Sequence, residues 1–161
     1  MSGDEARFRT WLTRSGRERG WVMQSIETNT AAGIPDVFFC IDGMSGWMEL
    51  KVTDTKKHYM RVSQYNWFRR YVKVKGLGFL LIKRTEKDVL LPAINVYNVA
   101  DLVKIPLDSC RLSGENVVFP ADTQPIFSYK LREGTPYLFK TLQQLCKDYV
   151  DKQRRSKCKK L

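Results

Sequence analysis

Histidine is nearly absent from this chain: His58 is the one histidine among 161 residues. The four cysteines, Cys40, Cys110, Cys146 and Cys158, form no CxxC pair. A structural zinc site needs about four nitrogen or sulfur ligands at close spacing, so the usual zinc-binding patterns are excluded. A catalytic triad built on histidine is also not predicted, since no nucleophile elbow accompanies His58.

Long apolar runs are missing as well. No stretch of about 18 apolar residues occurs, so no membrane span is predicted. The charged first 20 residues contain no apolar segment of the kind found in secretory signals, and we therefore expect an intracellular protein. No helix-turn-helix or other base-reading module is evident.

Positive charge is abundant. Lysine and arginine number 28 against 17 acidic residues, a formal net charge of +11. Many small proteins are basic for solubility alone, but so large a surplus in a short chain favours a polyanionic partner, and nucleic acid is the commonest one.

The length suits one domain over residues 1–161, and the pattern of apolar residues predicts a mixed α/β fold. The predicted elements are a helix over 4–15, strands over 21–27, 36–41 and 46–52, a helix over 61–75, a strand over 78–83, strand character over 89–99 and a last helix over 136–155. We expect residues 21–52 to form an antiparallel meander, with a turn at Asp42-Gly43.

Three residues in this meander have the chemistry of a catalytic centre. Glu49 and Lys51 are two apart in a strand, so both side chains leave the same face, which Trp47 shares. Asp36 follows Pro35 at the start of the preceding strand and would approach Glu49 if the two strands form a hairpin.

Two neighbouring carboxylates repel each other, and a divalent cation such as Mg²⁺ removes that repulsion. A lysine on the same face can orient or deprotonate an attacking water and offset negative charge in the transition state. These are the groups that phosphodiester hydrolysis requires. The alternative for Glu49 and Lys51 is an ordinary ion pair on an exposed strand face.

The segments GIPDVFF, WMELKV and VSQYNWF together resemble the PD-(D/E)XK nuclease superfamily. Within it, they are most similar to the VRR-type nucleases and to archaeal and phage Holliday junction resolvases. The resemblance covers about residues 4–83. It implies a restriction-endonuclease-like αβββαβ core over 4–83, followed by a C-terminal extension over 84–161 that ends in a helix.

The resemblance also implies a metal site. Asp36, Glu49 and the carbonyl of Leu50 would hold Mg²⁺, for which Mn²⁺ would substitute, and Lys51 would be the catalytic lysine. Gln64 matches a glutamine of the VRR-type members, and would reach toward the metal site or hold a DNA phosphate; its alternative role is that of a polar residue at a helix N-terminus.

A glutamate on the first helix often joins the metal site in this superfamily, and Glu5 is the candidate. Its alternative role is a capping box with Ser2. Glu18 and Glu27 are the weaker candidates.

Basic residues flank the predicted centre, and we expect them to contact DNA phosphates. These residues are Lys56, Lys57, Arg61, Arg69, Arg70 and Lys73. His58 is interpreted as a solvated loop residue. The stretch from Lys140 to Leu161 carries eight further lysines and arginines.

The sequence thus predicts an Mg²⁺-dependent, structure-selective DNA endonuclease, with a Holliday junction resolvase acting on branched DNA in recombination or repair as the first expectation. A flap, nicking or restriction-like endonuclease is the alternative within the same chemistry. A catalytically silent nucleic-acid-binding module is the alternative outside it. A homodimer is expected, because two active sites would match the two strands of a symmetric substrate.

Overall fold

The structure, a computed structural model, describes residues 3–26, 33–85, 93–130 and 136–158, with side chains in the last helix described to residue 155. The helices are α1 (Gly3–Arg17), α2 (Val62–Lys73), α3 (Val99–Leu102) and α4 (Pro136–Cys158). The strands are β1 (Val22–Ser25), β2 (Val37–Ile41), β3 (Met44–Thr53), β4 (Tyr59–Arg61), β5 (Gly78–Arg84), β6 (Ala93–Asn98), β7 (Arg111–Ser113), β8 (Asn116–Val118) and β9 (Phe127–Lys130).

Six strands form the main sheet, in the order β1-β2-β3-β5-β6-β9. The predicted antiparallel meander of β1, β2 and β3 is confirmed. The turn between β2 and β3 consists of Asp42 and Gly43, and both have positive φ (50° and 78°). Two such residues form the tight turn whose twist matches that of a hairpin, which fixes the register of the strands that follow.

A crossover through α2 places β5 parallel to β3, with Glu49 beside Leu80 and Lys51 beside Ile82. All other pairings in the main sheet are antiparallel. The predicted order αβββαβ is therefore present, with one addition. The short strand β4 precedes α2 and belongs to a second, three-stranded sheet of order β4-β8-β7.

One face of the main sheet is covered by α1 and α4. Met48 and Leu50 of β3 point to this face and share a buried cluster with Phe8 and Leu12 of α1 and Leu142 of α4. The strand pattern predicts that Met48 and Leu50 lie on the face opposite Glu49 and Lys51, because alternate residues of a strand point to opposite faces.

The other face is covered by α2, α3 and the second sheet. Leu80 and Tyr97 of the main sheet pack there with Phe68 of α2, Leu102 of α3 and Val117 of β8. This is the face that also receives Glu49 and Lys51, so the polar centre lies at the margin of an apolar layer.

The weakly patterned region 84–133 contains more structure than the sequence predicted: α3, β7, β8 and β9 lie within it. The predicted strand over 89–99 is observed from Ala93 to Asn98, and residues 86–92 lie outside the described part of the chain. None of the helices described is long and apolar enough to cross a membrane.

Candidate active site

The loop before β2 is held against the start of α2. Gly33 has a φ of +94°, and a Cβ added to it would lie 2.5 Å from the carbonyl oxygen of Ser63. A residue with a side chain would be strained at this φ and would also collide with the helix backbone. Glycine here lets the GIPD segment run close to α2 before the chain enters β2 at Val37.

Asp36 and Glu49 are brought together by the β2–β3 hairpin. Val37 pairs with Met48, so one step further along the antiparallel strands Asp36 lies opposite Glu49. The Leu50 backbone N–H donates a hydrogen bond of 2.9 Å to Oδ2 of Asp36. The Asp36 carboxylate is thereby fixed to the strand that carries Glu49, as the hairpin prediction required.

Glu49 is fully buried, at 0% exposure. Its Oε1 accepts a hydrogen bond from Lys51 Nζ, whereas Oε2 has no hydrogen-bond partner among the described residues. Burial raises the pKa of Glu49 to about 8, with Lys51 opposing the shift and Asp36 adding to it. A buried carboxylate with one unpartnered oxygen beside a second carboxylate has the character of a cation ligand.

Lys51 is also buried, at 6% exposure, so the exposed ion pair that formed the alternative interpretation is not what the structure contains. Burial by itself lowers the pKa of Lys51, but the carboxylates of Glu49 and Asp36 outweigh it and the pKa is raised. The amine therefore carries its charge inside the protein, next to the carboxyl groups of Asp36 and Glu49.

Glu5 on α1 lies within electrostatic reach of this centre. β2 pairs with β3 only as far as Met48, so among the described strands the last residues of β3 are paired with β5 alone. The Glu5 carboxylate raises the pKa of Lys51, and it adds to the effect of burial in raising the pKa of Tyr59 on β4. Tyr59 was not predicted as a neighbour of the site, because a three-residue strand has no readable periodicity.

The other glutamate candidates differ in position. Glu18 is exposed, lies one residue after the end of α1, and pairs with Arg14 of that helix at 3.8 Å. Glu27 lies outside the described residues.

The structure gives Gln64 the role of a polar residue at a helix N-terminus, and its reach toward the metal site or a DNA phosphate stays a prediction. Gln64 is buried at the start of α2, where its Oε1 accepts a hydrogen bond of 3.0 Å from the backbone N–H of Arg61. Gln64 thus satisfies one of the free donors at the helix N-terminus, next to the Ser63 carbonyl that contacts the Gly33 loop.

Two side chains of this centre are suitable ligands for a hard divalent cation, but a third is not present among the described residues. Asp36 and Glu49 supply oxygen ligands, and Mg²⁺ needs only one or two protein carboxylates because it keeps waters and binds substrate phosphate. Within the described ranges, no three His, Cys, Asp or Glu side chains converge as a metal cluster, so Glu5 does not complete a three-side-chain site.

The predicted DNA-binding residues are all on the surface. Lys56 and Lys57 lie in the loop after β3, Arg61 ends β4, and the other three are on α2. The six exposed side chains are Lys56, Lys57, Arg61, Arg69, Arg70 and Lys73.

The prediction of a solvated His58 is wrong. His58 is 5% exposed. Its Nδ1 is hydrogen-bonded to the hydroxyl of Tyr97 on β6, and its side chain also bonds the backbone of Ala121. Burial lowers the pKa of His58, and the nearby Arg84 guanidinium lowers it further. His58 is buried because its partners arrive from parts of the chain about 40 and 60 residues away, which local sequence does not reveal.

Comparison with known proteins supports the fold. No protein-family model and no curated protein sequence matches the chain. Among solved structures, the chain is similar to Archaeoglobus fulgidus Hjc, a Holliday junction resolvase from an archaeal hyperthermophile. The TM-score is 0.50 at 10% sequence identity, covering 81% of this chain and 94% of that one. The predicted restriction-endonuclease-like fold is thereby confirmed.

Proposed function

We propose that this protein is an Mg²⁺-dependent DNA endonuclease that selects branched DNA, with a Holliday junction resolvase as its first assignment. The observation that carries the proposal is the convergence of Asp36, Glu49 and Lys51 on one face of the sheet, at the β2–β3 hairpin. The likeness to a resolvase in fold supports it, but a fold hosts many functions, so the site has the greater weight.

The chain's own residues have distinct parts in this proposal. Asp36, Glu49 and the Leu50 carbonyl hold the cation, and Mn²⁺ substitutes for Mg²⁺. The bound cation supplies an acidified water and neutralises charge on the phosphate. Lys51, as a charged amine, orients the attacking water and offsets negative charge. Glu5 supports Lys51 electrostatically, while Gln64 holds the start of α2 beside the Gly33 loop.

The exposed cations hold the DNA backbone in this proposal. Lys56 and Lys57 directly follow the catalytic strand, and Arg69, Arg70 and Lys73 lie along α2. When several elements of a protein contact DNA phosphates, they recognise the path of the DNA backbone and not the edges of the bases. Such contacts suit a substrate recognised by its shape.

The proposal is tested by substitution at each of the three central residues. We expect Asp36→Asn, Glu49→Gln and Lys51→Ala each to lose about a hundredfold or more in cleavage rate while DNA binding persists. The matched control is Glu18→Gln, which alters an exposed carboxylate just after α1 that pairs with Arg14. Full cleavage in EDTA, or by Glu49→Gln, would contradict the proposal.

The substrate is tested by competition. A labelled four-way junction is offered with Mg²⁺ and an excess of linear duplex of the same sequences, and flap and single-stranded DNAs complete the panel. We expect duplex to compete poorly and paired symmetric nicks to appear across the junction. If duplex competes as well as unlabelled junction, a flap, nicking or restriction-like endonuclease is the better assignment; if the protein binds DNA but cleaves nothing, a silent binding module is.

A homodimer belongs to the resolvase assignment, since two-fold symmetry would present one active site to each of two strands. Light scattering at micromolar concentration should give twice the 18.8 kDa mass of the chain. A monomer with activity first order in protein would remove the dimer from the proposal. The intracellular location expected for a DNA-processing enzyme is part of the same proposal.

A further inference from the structure

A cleft of about 470 Å³ opens beside the far end of β3. One wall is the loop from Thr55 to His58, which follows the catalytic strand. The opposite wall comes from the second sheet and the chain after it, where Val118, Pro120 and Ala121 line the cleft. The candidate active site and this cleft therefore share the segment that begins at β3.

The cleft has apolar walls and a cationic rim. Lys56, Lys57 and Arg111 line it, and all three are exposed. Within the described part of the chain, no acidic residue lines the cleft and no ion pair neutralises these three cations. An apolar surface bordered by unpaired cations fits a ligand with a flat apolar part and an anionic part.

The cleft is held in shape by buried hydrogen bonds. The Phe119 N–H donates to the His58 carbonyl at 2.8 Å, and the His58 ring bonds both Tyr97 and the Ala121 backbone. These contacts tie the second wall to the main sheet. A cleft that exists before its ligand arrives loses less entropy on binding.

The distance to the active site suits one DNA strand. Thr55 is four residues beyond Lys51, and the chain turns after Thr53, whose hydroxyl lies 2.9 Å from that of Thr55. The separation is therefore at most about 13 Å, the length of four extended residues, or about four steps of 3.4 Å along a stacked DNA strand. A strand whose phosphate lies at Lys51 reaches the cleft within a few nucleotides.

We propose that the cleft binds one unpaired nucleotide of the DNA substrate, with its base against Val118, Pro120 and Ala121 and its phosphate on the cationic rim. This inference rests on the proposed nuclease function and narrows its substrate class. A base stacked within a duplex cannot enter a cleft between two walls, so the nucleotide must be unpaired or extruded.

This recognition separates the candidate substrates. A flap carries unpaired nucleotides beside its branch and a bulge carries them within a duplex, whereas a fully paired four-way junction offers one only if a base pair opens at the crossover. The cleft thus favours branched DNA with an unpaired nucleotide a few steps from the scissile bond.

The test measures binding in EDTA, where cleavage plays no part. Fluorescence anisotropy compares a labelled duplex that has one unpaired thymidine with the matched duplex. We expect the unpaired nucleotide to tighten binding about tenfold, the scale of one base packed on a protein surface. Ala121→Trp fills the cleft and should abolish this preference, while Ser113→Trp, on the same small sheet outside the cleft, should retain it.

The rim is tested by charge. Arg111→Glu should weaken binding of the unpaired substrate more than that of the matched duplex, whereas Lys73→Ala on α2 should weaken both equally. Equal affinity of the unaltered protein for both DNAs would overturn the inference, and so would a preference that survives in folded Ala121→Trp. If circular dichroism shows Ala121→Trp unfolded, Arg111→Glu decides, and an unchanged preference in it overturns the inference.

Failure of the two proposals can be told apart. A tenfold binding preference for the unpaired nucleotide in EDTA, with no cleavage of any DNA in Mg²⁺, would support nucleotide binding in the cleft and refute the nuclease activity. Metal-dependent cleavage with no preference for the unpaired nucleotide would keep the proposed nuclease activity and refute nucleotide binding in the cleft.

Discussion

Replacing Gly33 by alanine tests how the active-site loop is held in place. Gly33 has a φ of +94°, and an added Cβ would come within 2.5 Å of the Ser63 carbonyl oxygen. Two penalties therefore act together: the backbone strain of an L-residue at positive φ, and overlap with the backbone of α2. The helix backbone cannot turn aside as a flexible side chain would, so the loop itself must move.

The magnitude follows from comparison with Gly20. Gly20 has a similar φ of +77° but nothing within 4 Å of an added Cβ, so Gly20→Ala suffers the strain alone. That strain is about 1–2 kcal/mol, reduced by about 0.4–1 kcal/mol because alanine restricts the unfolded chain. Steric overlap adds about 1–3 kcal/mol at Gly33. We expect Gly33→Ala to lose about 3 kcal/mol of unfolding free energy, or about 6–12 °C in Tm.

The loop also positions Asp36, a proposed metal ligand that lies three residues after Gly33. A displacement of about 1 Å can lower a reaction rate on the order of a hundredfold. Calorimetry gives the two Tm values, and cleavage is then assayed in Mg²⁺ well below both. If Gly33→Ala is no less stable than Gly20→Ala and cleaves DNA at the same rate, the reasoning about the Gly33–Ser63 contact is wrong.

Two further predictions concern pH and the C-terminal tail. The raised pKa of Glu49, about 8 against 4.5 in the unfolded chain, means that its stabilising protonation is fully present below pH 4.5 and is lost as pH rises to 8. In EDTA, denaturant titrations from pH 5 to 8 should show that the unaltered protein loses about 3 kcal/mol more unfolding free energy than Glu49→Gln. The same dependence of unfolding free energy on pH in both proteins would contradict this prediction. Deleting residues 152–161 should weaken binding of all DNAs similarly and flatten its salt dependence, because fewer counterions are released. An unchanged salt slope would show that this segment does not contact DNA.

The central part of the site could be predicted because it depends on local rules. Alternation along β3 assigns Glu49 and Lys51 to one face, and the short Asp42-Gly43 turn fixes which residues of β2 and β3 are opposite each other. These two rules suffice to bring Asp36 next to Glu49. The depth of burial could not be predicted, because it depends on layers contributed by α2 and the second sheet.

The second sheet was missed for a related reason. β4 and β8 are three residues each, and they pair across more than 50 residues of intervening chain. Strands this short have no measurable periodicity, and long-range pairing leaves no local signal. His58 was misassigned as a consequence, since the pairing of β4 with β8 brings the Ala121 backbone within hydrogen-bond reach of its side chain.

This difference between local and long-range structure explains why the sequence predicts the reaction more specifically than it predicts the DNA substrate. The residues that would cleave DNA lie within 4–83, where the motifs resemble a nuclease superfamily whose members act on many DNA shapes. The second wall of the cleft, with Arg111 on its rim, comes from residues 109–121, outside that resemblance. If the cleft selects the substrate, then the C-terminal extension determines which DNA is bound, and the core over residues 4–83 supplies the catalytic reaction. Substitutions in 109–121 should therefore change which DNA is cleaved without changing the metal requirement, and substitutions at Glu49 should do the opposite.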